Sequence, residues 1–130
     1  MDTTPEYIKM CVAAVEIQAL APGRDGTYFE EHNFIADELG NIAKEDNGYY
    51  YMLSGEKHIW LPRQDELQEM VKESSLSESL TAFYHWNYDI GFIWKSDKEF
   101  TSMEQLWLAY VMQELYQKTW NGSDWVKEEN

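Results

Sequence analysis

A chain of 130 residues buries well over half of the surface its unfolded form exposes and holds a single core, so one domain over residues 1–130 without a linker is expected. Its 10 basic residues against 24 acidic ones give a net charge of −14, a field that repels nucleic-acid phosphates and anionic lipid head groups; Lys and Arg are scattered singly, with no basic patch to override it. Direct nucleic-acid binding is excluded on that ground, no stretch approaches the roughly 20 apolar residues needed to span a bilayer, and the lone Cys11 excludes an internal disulfide.

The chain opens on Asp2, Thr3, Thr4 and Pro5, with neither a basic region nor an apolar run of a targeting segment, so a reducing, cytoplasmic setting is expected. Thr3 and Glu6 stand at capping-box spacing and Pro5 falls in the first turn, which predicts a helix running to Pro22-Gly23. Ile8, Cys11, Val12, Val15 and Ala19 recur at helical spacing and mark its inward face. Cys11 on that face is a small buried hydrophobe rather than a nucleophile, since no sequence-adjacent His or basic residue lowers its pKa.

From residue 24 to 61 Gly26, Gly40, Gly48 and Gly55 punctuate short aromatic and aliphatic runs, and a small antiparallel sheet is expected over residues 27–61. Asn47-Gly48 is a tight-turn signal followed by the aromatic run 49–53; a second turn at 54–57 leads into His58-Ile59-Trp60-Leu61, so residues 48–61 read as a β-hairpin. Between 33 and 45, Phe34, Ile35, Leu39, Ile42 and Ala43 suit either a strand pair broken at Gly40 or a short helix, and periodicity does not arbitrate; the strand pair is taken here.

Pro62 stops the strand, and Asp65-Glu66 suit the start of a short helix that carries Leu67, Met70 and Val71 inward. Ser75 with Glu78 makes another capping box, after which Leu76, Leu80, Phe83 and Tyr84 trace an apolar face up to Gly91, and Phe92-Ile93-Trp94 form one more short strand. Thr101 with Glu104 opens the last helix and Asn121-Gly122 closes it. Residues 106–112 carry no charged side chain, which on a helix means apolar atoms all the way round and a central position. Trp125 and Val126 are expected to fold back beside that helix. The sum is an α+β fold: about four helices packed around a long C-terminal helix, with a small antiparallel sheet.

No catalytic or cofactor motif stands in the chain. There is no Gly-x-Ser-x-Gly elbow, no phosphate-cradling loop, no dinucleotide fingerprint and no two-His helical spacing. No cofactor and no catalytic residue is assigned; a metal site from Glu30, His32, His58 and His85 does not rise above chance. What stands out is the sum of 6 Trp and 9 Tyr, rings with a polar handle that dominate interface hot spots. Tyr49, Tyr51, Trp86, Trp94 and Trp125 are candidates for a partly exposed recognition surface framed by carboxylates. At the junction of sheet and helices, His58, Trp60, Arg63 and His85 are candidates for a small-ligand site, because Arg63 beside Trp60 is a singular cation in an acidic chain and suits an anionic group. The binding candidates are therefore Tyr49, Tyr51, His58, Trp60, Arg63, His85 and Trp86.

Trp60-Leu61-Pro62-Arg63-Gln64-Asp65-Glu66-Leu67-Gln68-Glu69-Met70 and Leu106-Trp107-Leu108-Ala109-Tyr110-Val111-Met112, with Trp120-Asn121-Gly122 and Trp125-Val126 beyond, carry a resemblance. Over mostly its C-terminal two thirds, the chain resembles the small proteins of unknown function carried by phages and prophages of Gram-positive bacteria. The resemblance implies a phage or integrated-element origin and an intracellular setting, and brings no activity and no functional residues. Two functions follow as expectations: a non-enzymatic module that binds a phage or host protein with a basic surface, or a small enzyme, ligand- or metal-binding domain at the sheet–helix junction.

Overall fold

The computed structural model describes residues 1–21, 34–37, 39–44, 58–93 and 100–128. Helix α1 spans Pro5–Ala13 and opens one residue later than the capping pattern predicts. Thr4 caps it, its hydroxyl accepting from the Tyr7 amide at 3.3 Å, and Asp2 orients that cap by accepting from the Thr4 amide and hydroxyl at 2.8 and 2.6 Å. Glu6, expected to complete a box with Thr3, instead accepts from the indole Nε1 of Trp120 at 3.2 Å. The helix does not run through to Pro22: Ala14 leaves the helical region at φ −84° and ψ 70°, and a single further turn, α2, covers Val15–Gln18.

This break corrects the predicted inward face. Tyr7, Met10, Cys11, Ala14 and Ile17 are buried, whereas Val12 and Val15 are 50% and 64% exposed. Both sets have helical spacing and share Cys11, but the first buries the larger Tyr and Met side chains, and the turn at Ala14 re-aims the second segment so that Ile17 faces in. The Tyr7 hydroxyl donates to the Pro62 carbonyl at 2.6 Å, fastening α1 to the end of strand β3 (His58–Leu61). Burial pushes the Cys11 thiol well up, the neighbouring Tyr7 side chain offsetting this only in part. We therefore expect Cys11 to resist iodoacetamide in the native protein and to react completely in denaturant; mass spectrometry of alkylated samples checks it.

The strand reading of residues 33–45 holds for β1 (Phe34–Asp37) and β2 (Ile42–Lys44), which with β3 form an antiparallel sheet of order β2-β1-β3. Ile35 pairs with Ala43 on one side and Trp60 on the other. Asp37 builds the turn: its buried carboxylate accepts from the amides of Leu39 at 3.0 Å and Asn41 at 2.8 Å, and from the Asn41 side-chain amide at 2.9 Å. Gly40 closes that turn at φ +86°, a left-handed geometry costly for any residue with a Cβ. Gly40→Ala is expected to cost about 1–2 kcal/mol in urea unfolding, although nothing near the added Cβ would clash. For the predicted hairpin over 48–61, the aromatic run 49–53 lies outside the described residues; the described partner of β3 is β1. The backbone of Trp60 is further engaged by the Gln18 side chain, which donates to its carbonyl at 2.8 Å and accepts from its amide at 2.9 Å. A side-chain amide thus continues the ladder where a strand would.

Helix α3 (Gln64–Met70) follows Pro62, with Glu66 accepting from the Arg63 amide at 2.9 Å. Leu67 is buried and Met70 and Val71 pack on the core, as their spacing predicts. Helix α4 (Leu76–Ile93) starts where Ser75 accepts from the Glu78 amide at 3.1 Å. It does not stop at Gly91, so Phe92 and Ile93 are helical rather than a strand. Its predicted face is also corrected: Phe83 packs inward with Trp86, while Leu76, Leu80 and Tyr84 are exposed.

Helix α5 (Met103–Tyr116) begins at Ser102, whose hydroxyl accepts from the Gln105 amide at 3.1 Å. Here too the predicted box is displaced by one residue, because Gln105 accepts from the Thr101 amide at 3.0 Å while Glu104 accepts from the Asp2 amide at 3.0 Å. Residues 107–112 of the uncharged stretch are all buried, and Leu106 at its start is half-buried. The helix ends at Gln117, left-handed at φ 53°, short of the predicted Asn121-Gly122 stop by about one turn. Asn121-Gly122 instead turns a hairpin between β4 (Lys118–Trp120) and β5 (Trp125–Lys127), with the Asn121 side chain accepting from the amides of Ser123 and Asp124 at 2.9 and 2.8 Å. The tail folds back as expected through Trp125, whose indole donates to the Met10 carbonyl at 2.9 Å, but Val126 faces solvent. The protein is a mixed α+β fold in which α5 packs against α3, β4 and α1.

Candidate functional site

Between α3 and the start of α4 lies a cleft of about 460 Å³. Its floor is Trp107 of α5, held by a parallel stack on Phe83 of α4 with ring centroids 3.8 Å apart and planes 8° from parallel. Trp86 and Phe83 lie against Tyr110 at 5.0 and 5.4 Å, so three rings from α4 and α5 brace the floor. One wall is the outer side of α3, with Asp65, Gln68 and Glu69, continued by Lys72 just past its end; the other is the first turns of α4, with Leu76, Ser79 and Leu80.

The rim is acidic. Asp65, Glu69 and Glu73 face one ammonium, Lys72, which is already paired with Glu69 at 2.9 Å. A hydrogen bond from the Arg63 guanidinium holds the Asp65 carboxyl below its usual range and so keeps it charged. The reach of this field shows in Tyr110, whose hydroxyl is pushed up first by burial and then by the carboxylates of Glu114 and Glu73. Among the lining hydroxyls, Ser74 donates to the Glu78 carboxylate, Ser75 accepts from the Glu78 amide, and Ser79 accepts from the Glu73 amide at 2.8 Å. Among the described residues the lining holds no His or Cys to activate them. With an apolar floor, two exposed leucines and surplus negative charge, the cleft has the chemistry of a surface for a cationic, partly apolar group.

The described sequence-derived candidates are not among its lining residues. Tyr49, Tyr51, Trp94, Glu30 and His32 lie outside the described residues. His58 is exposed at the start of β3, opposite Asp37, while Trp60 two residues on is buried in the core. Arg63 does not stand as a clamp for an anion: its Nε lies 3.0 Å from Asp65 and 3.6 Å from Glu66. His85 is exposed on α4 with its ring edge-on to Tyr84 at 5.8 Å, and Trp86 is half-buried behind the cleft floor. Trp125, expected to be partly exposed, is buried; Tyr84 and Tyr88 are the described aromatic rings most open to water. Among the described residues no group of three or more His, Cys, Asp or Glu is placed to hold a metal.

Sequence reasoning missed Leu76 and Leu80 as surface residues because it placed them on one apolar face with Phe83 and Tyr84. The signal was present in Glu73-Ser74-Ser75, a polar joint that carries the first turns of α4 away from α3. Fold and cleft together define a small acidic α+β protein with an open aromatic-floored groove. Set against family models, curated proteins and solved structures, the chain matches none. Among the described residues no helix is long and apolar enough to cross a membrane.

Proposed function

We propose that this protein is a non-enzymatic protein-binding module, derived from a phage or prophage and acting in the host cytoplasm, that engages a phage or host protein through a basic surface on that partner. In this reading α5 is the scaffold about which the other helices are arranged, and the α3–α4 groove is what it presents. The observation that supports it is the groove itself: three carboxylates, Asp65 paired with Arg63, Glu69 paired with Lys72, and Glu73, around an aromatic floor, with Leu76 and Leu80 open to water. Complementary charge speeds encounter with a cationic surface, and the apolar floor supplies affinity that outlasts salt.

The test is affinity capture from a host lysate at low and high salt, comparing the native protein with Glu69→Lys/Glu73→Lys. A partner held by the native protein and lost by the double variant is the expected result; no partner retained at either salt refutes the reading. The ligand-site alternative is separated by thermal-shift screening against divalent metals and nucleotides, where a ligand at about 100 times its dissociation constant stabilises by about 2.7 kcal/mol.

A further inference from the structure

Leu76, Leu80, Tyr84 and Tyr88 stand four residues apart along α4, and all four are exposed. Four-residue spacing keeps them on one slowly winding ridge that covers about 18 Å of helix, about three and a half turns. Two of the four, Leu76 and Leu80, also line the groove, which is bordered by Glu69 on the opposite helix α3 and by Glu73 in the joint before α4. The ridge is therefore the continuation of the groove: an apolar track along one helix, bordered at one end by carboxylates.

We propose that this track seats a basic amphipathic helix of a partner protein, about three to four turns long, with aliphatic residues on the ridge and Lys or Arg against Glu69 and Glu73. The proposal deepens the protein-binding reading and rests on it. Length, polarity and charge each select this occupant. A ridge of three and a half turns matches a helix of similar length laid alongside. The carboxylates at its border disfavour an acidic segment and an anionic lipid surface alike. A second copy of this chain would bring a further net charge of −14 against the first.

The probe is a dye-labelled peptide of about 14 residues with Leu at helical spacing on one face and Lys elsewhere, followed by fluorescence anisotropy. Its controls have Gln in place of Leu, or Glu in place of Lys. The native protein is expected to bind the Leu/Lys peptide, and affinity is expected to fall about tenfold or more in Leu80→Asp, Tyr84→Asp and Glu73→Lys. These side chains are exposed, so unchanged circular dichroism and melting are expected; Leu80→Ser is the milder variant should Leu80→Asp fail to fold. The two control peptides should bind no better than the variants do.

If Glu73→Lys weakens binding while Leu80→Asp and Tyr84→Asp do not, or if the Gln peptide binds as well as the Leu peptide, attraction is by charge alone. The helix-seating proposal then falls while the protein-binding reading stands. If no Lys-rich peptide binds at low salt, both fall. If sedimentation shows a dimer that Leu80→Asp abolishes, the ridge belongs to a second copy and the proposal is overturned.

Discussion

Trp107→Ala is expected to destabilise the protein by about 3–5 kcal/mol, the range for truncating a buried aromatic side chain. Trp107 is 2% exposed, stacks face to face on Phe83, and meets Tyr110 edge-on at 5.7 Å. Its removal leaves a void beneath the cleft and takes the packing partner from α4. Trp107→Phe should cost much less than the area lost would indicate. The buried indole Nε1 has no acceptor among the described residues, an arrangement that costs roughly 1–3 kcal/mol, and phenylalanine removes the donor while keeping the stack. Urea unfolding of the three proteins checks both statements; equal losses in the two variants would mean that the stack contributes little.

Asp2 carries the second large effect, and it makes that effect pH-dependent. Its carboxylate accepts from the Ser102 hydroxyl, from the Gln105 side chain at 2.8 Å and from the Thr4 amide and hydroxyl, so one buried group ties the start of α1 to the start of α5. Burial alone would raise its pKa; the hydrogen bonds from Ser102, Thr4 and Gln105 outweigh burial and hold it below the usual carboxylate value. The folded protein therefore binds this proton less readily than the unfolded chain. The stabilisation is fully present above the unfolded-state pKa of about 4 and is lost as pH falls through the lower folded-state value. Asp2→Ala is expected to cost roughly 2–3 kcal/mol at neutral pH, because it strands donors that the carboxylate had satisfied. The gap between native and variant should narrow as pH drops below about 4. Urea midpoints measured from pH 7 to pH 3 check the sign; a gap that widens on acidification would show that Asp2 is not held charged.

Both effects bear on function, because Trp107 and the capped start of α5 position the cleft floor. In Trp107→Phe the leucines and carboxylates of the rim stay in place, so a loss of partner binding there would report on the floor itself.

The elements that local chemistry dictates are the ones legible in the chain. The uncharged run 106–112 on a helix has no hydrophilic side to offer, so its burial follows from composition alone. His58–Leu61 is rich in β-formers and ends at a proline, and Gly40 marks the turn between β1 and β2 because few other residues adopt its φ. The net charge of −14 is likewise a property of the sequence.

The tertiary structure decided what local rules leave degenerate. Which Thr or Ser caps α1 and α5 depends on Asp2, Glu104 and Gln105 meeting across about 100 positions of chain. Asn121-Gly122 serves a helix end or a hairpin with equal local ease, and the choice went to the hairpin because it buries Trp120 and Trp125 together, 5.1 Å apart, against α1. Along α1 and α4 two apolar stripes compete for the core. The stripe that wins is the one whose rings find partners on other elements: Tyr7 at Pro62, and Phe83 at Trp107. Val12, Leu76, Leu80 and Tyr84 are left in water by that outcome, and on α4 the losing stripe supplies the candidate binding surface. Periodicity reports that a helix has an apolar side; only packing between elements distant in sequence selects which side is buried and which is left for a partner.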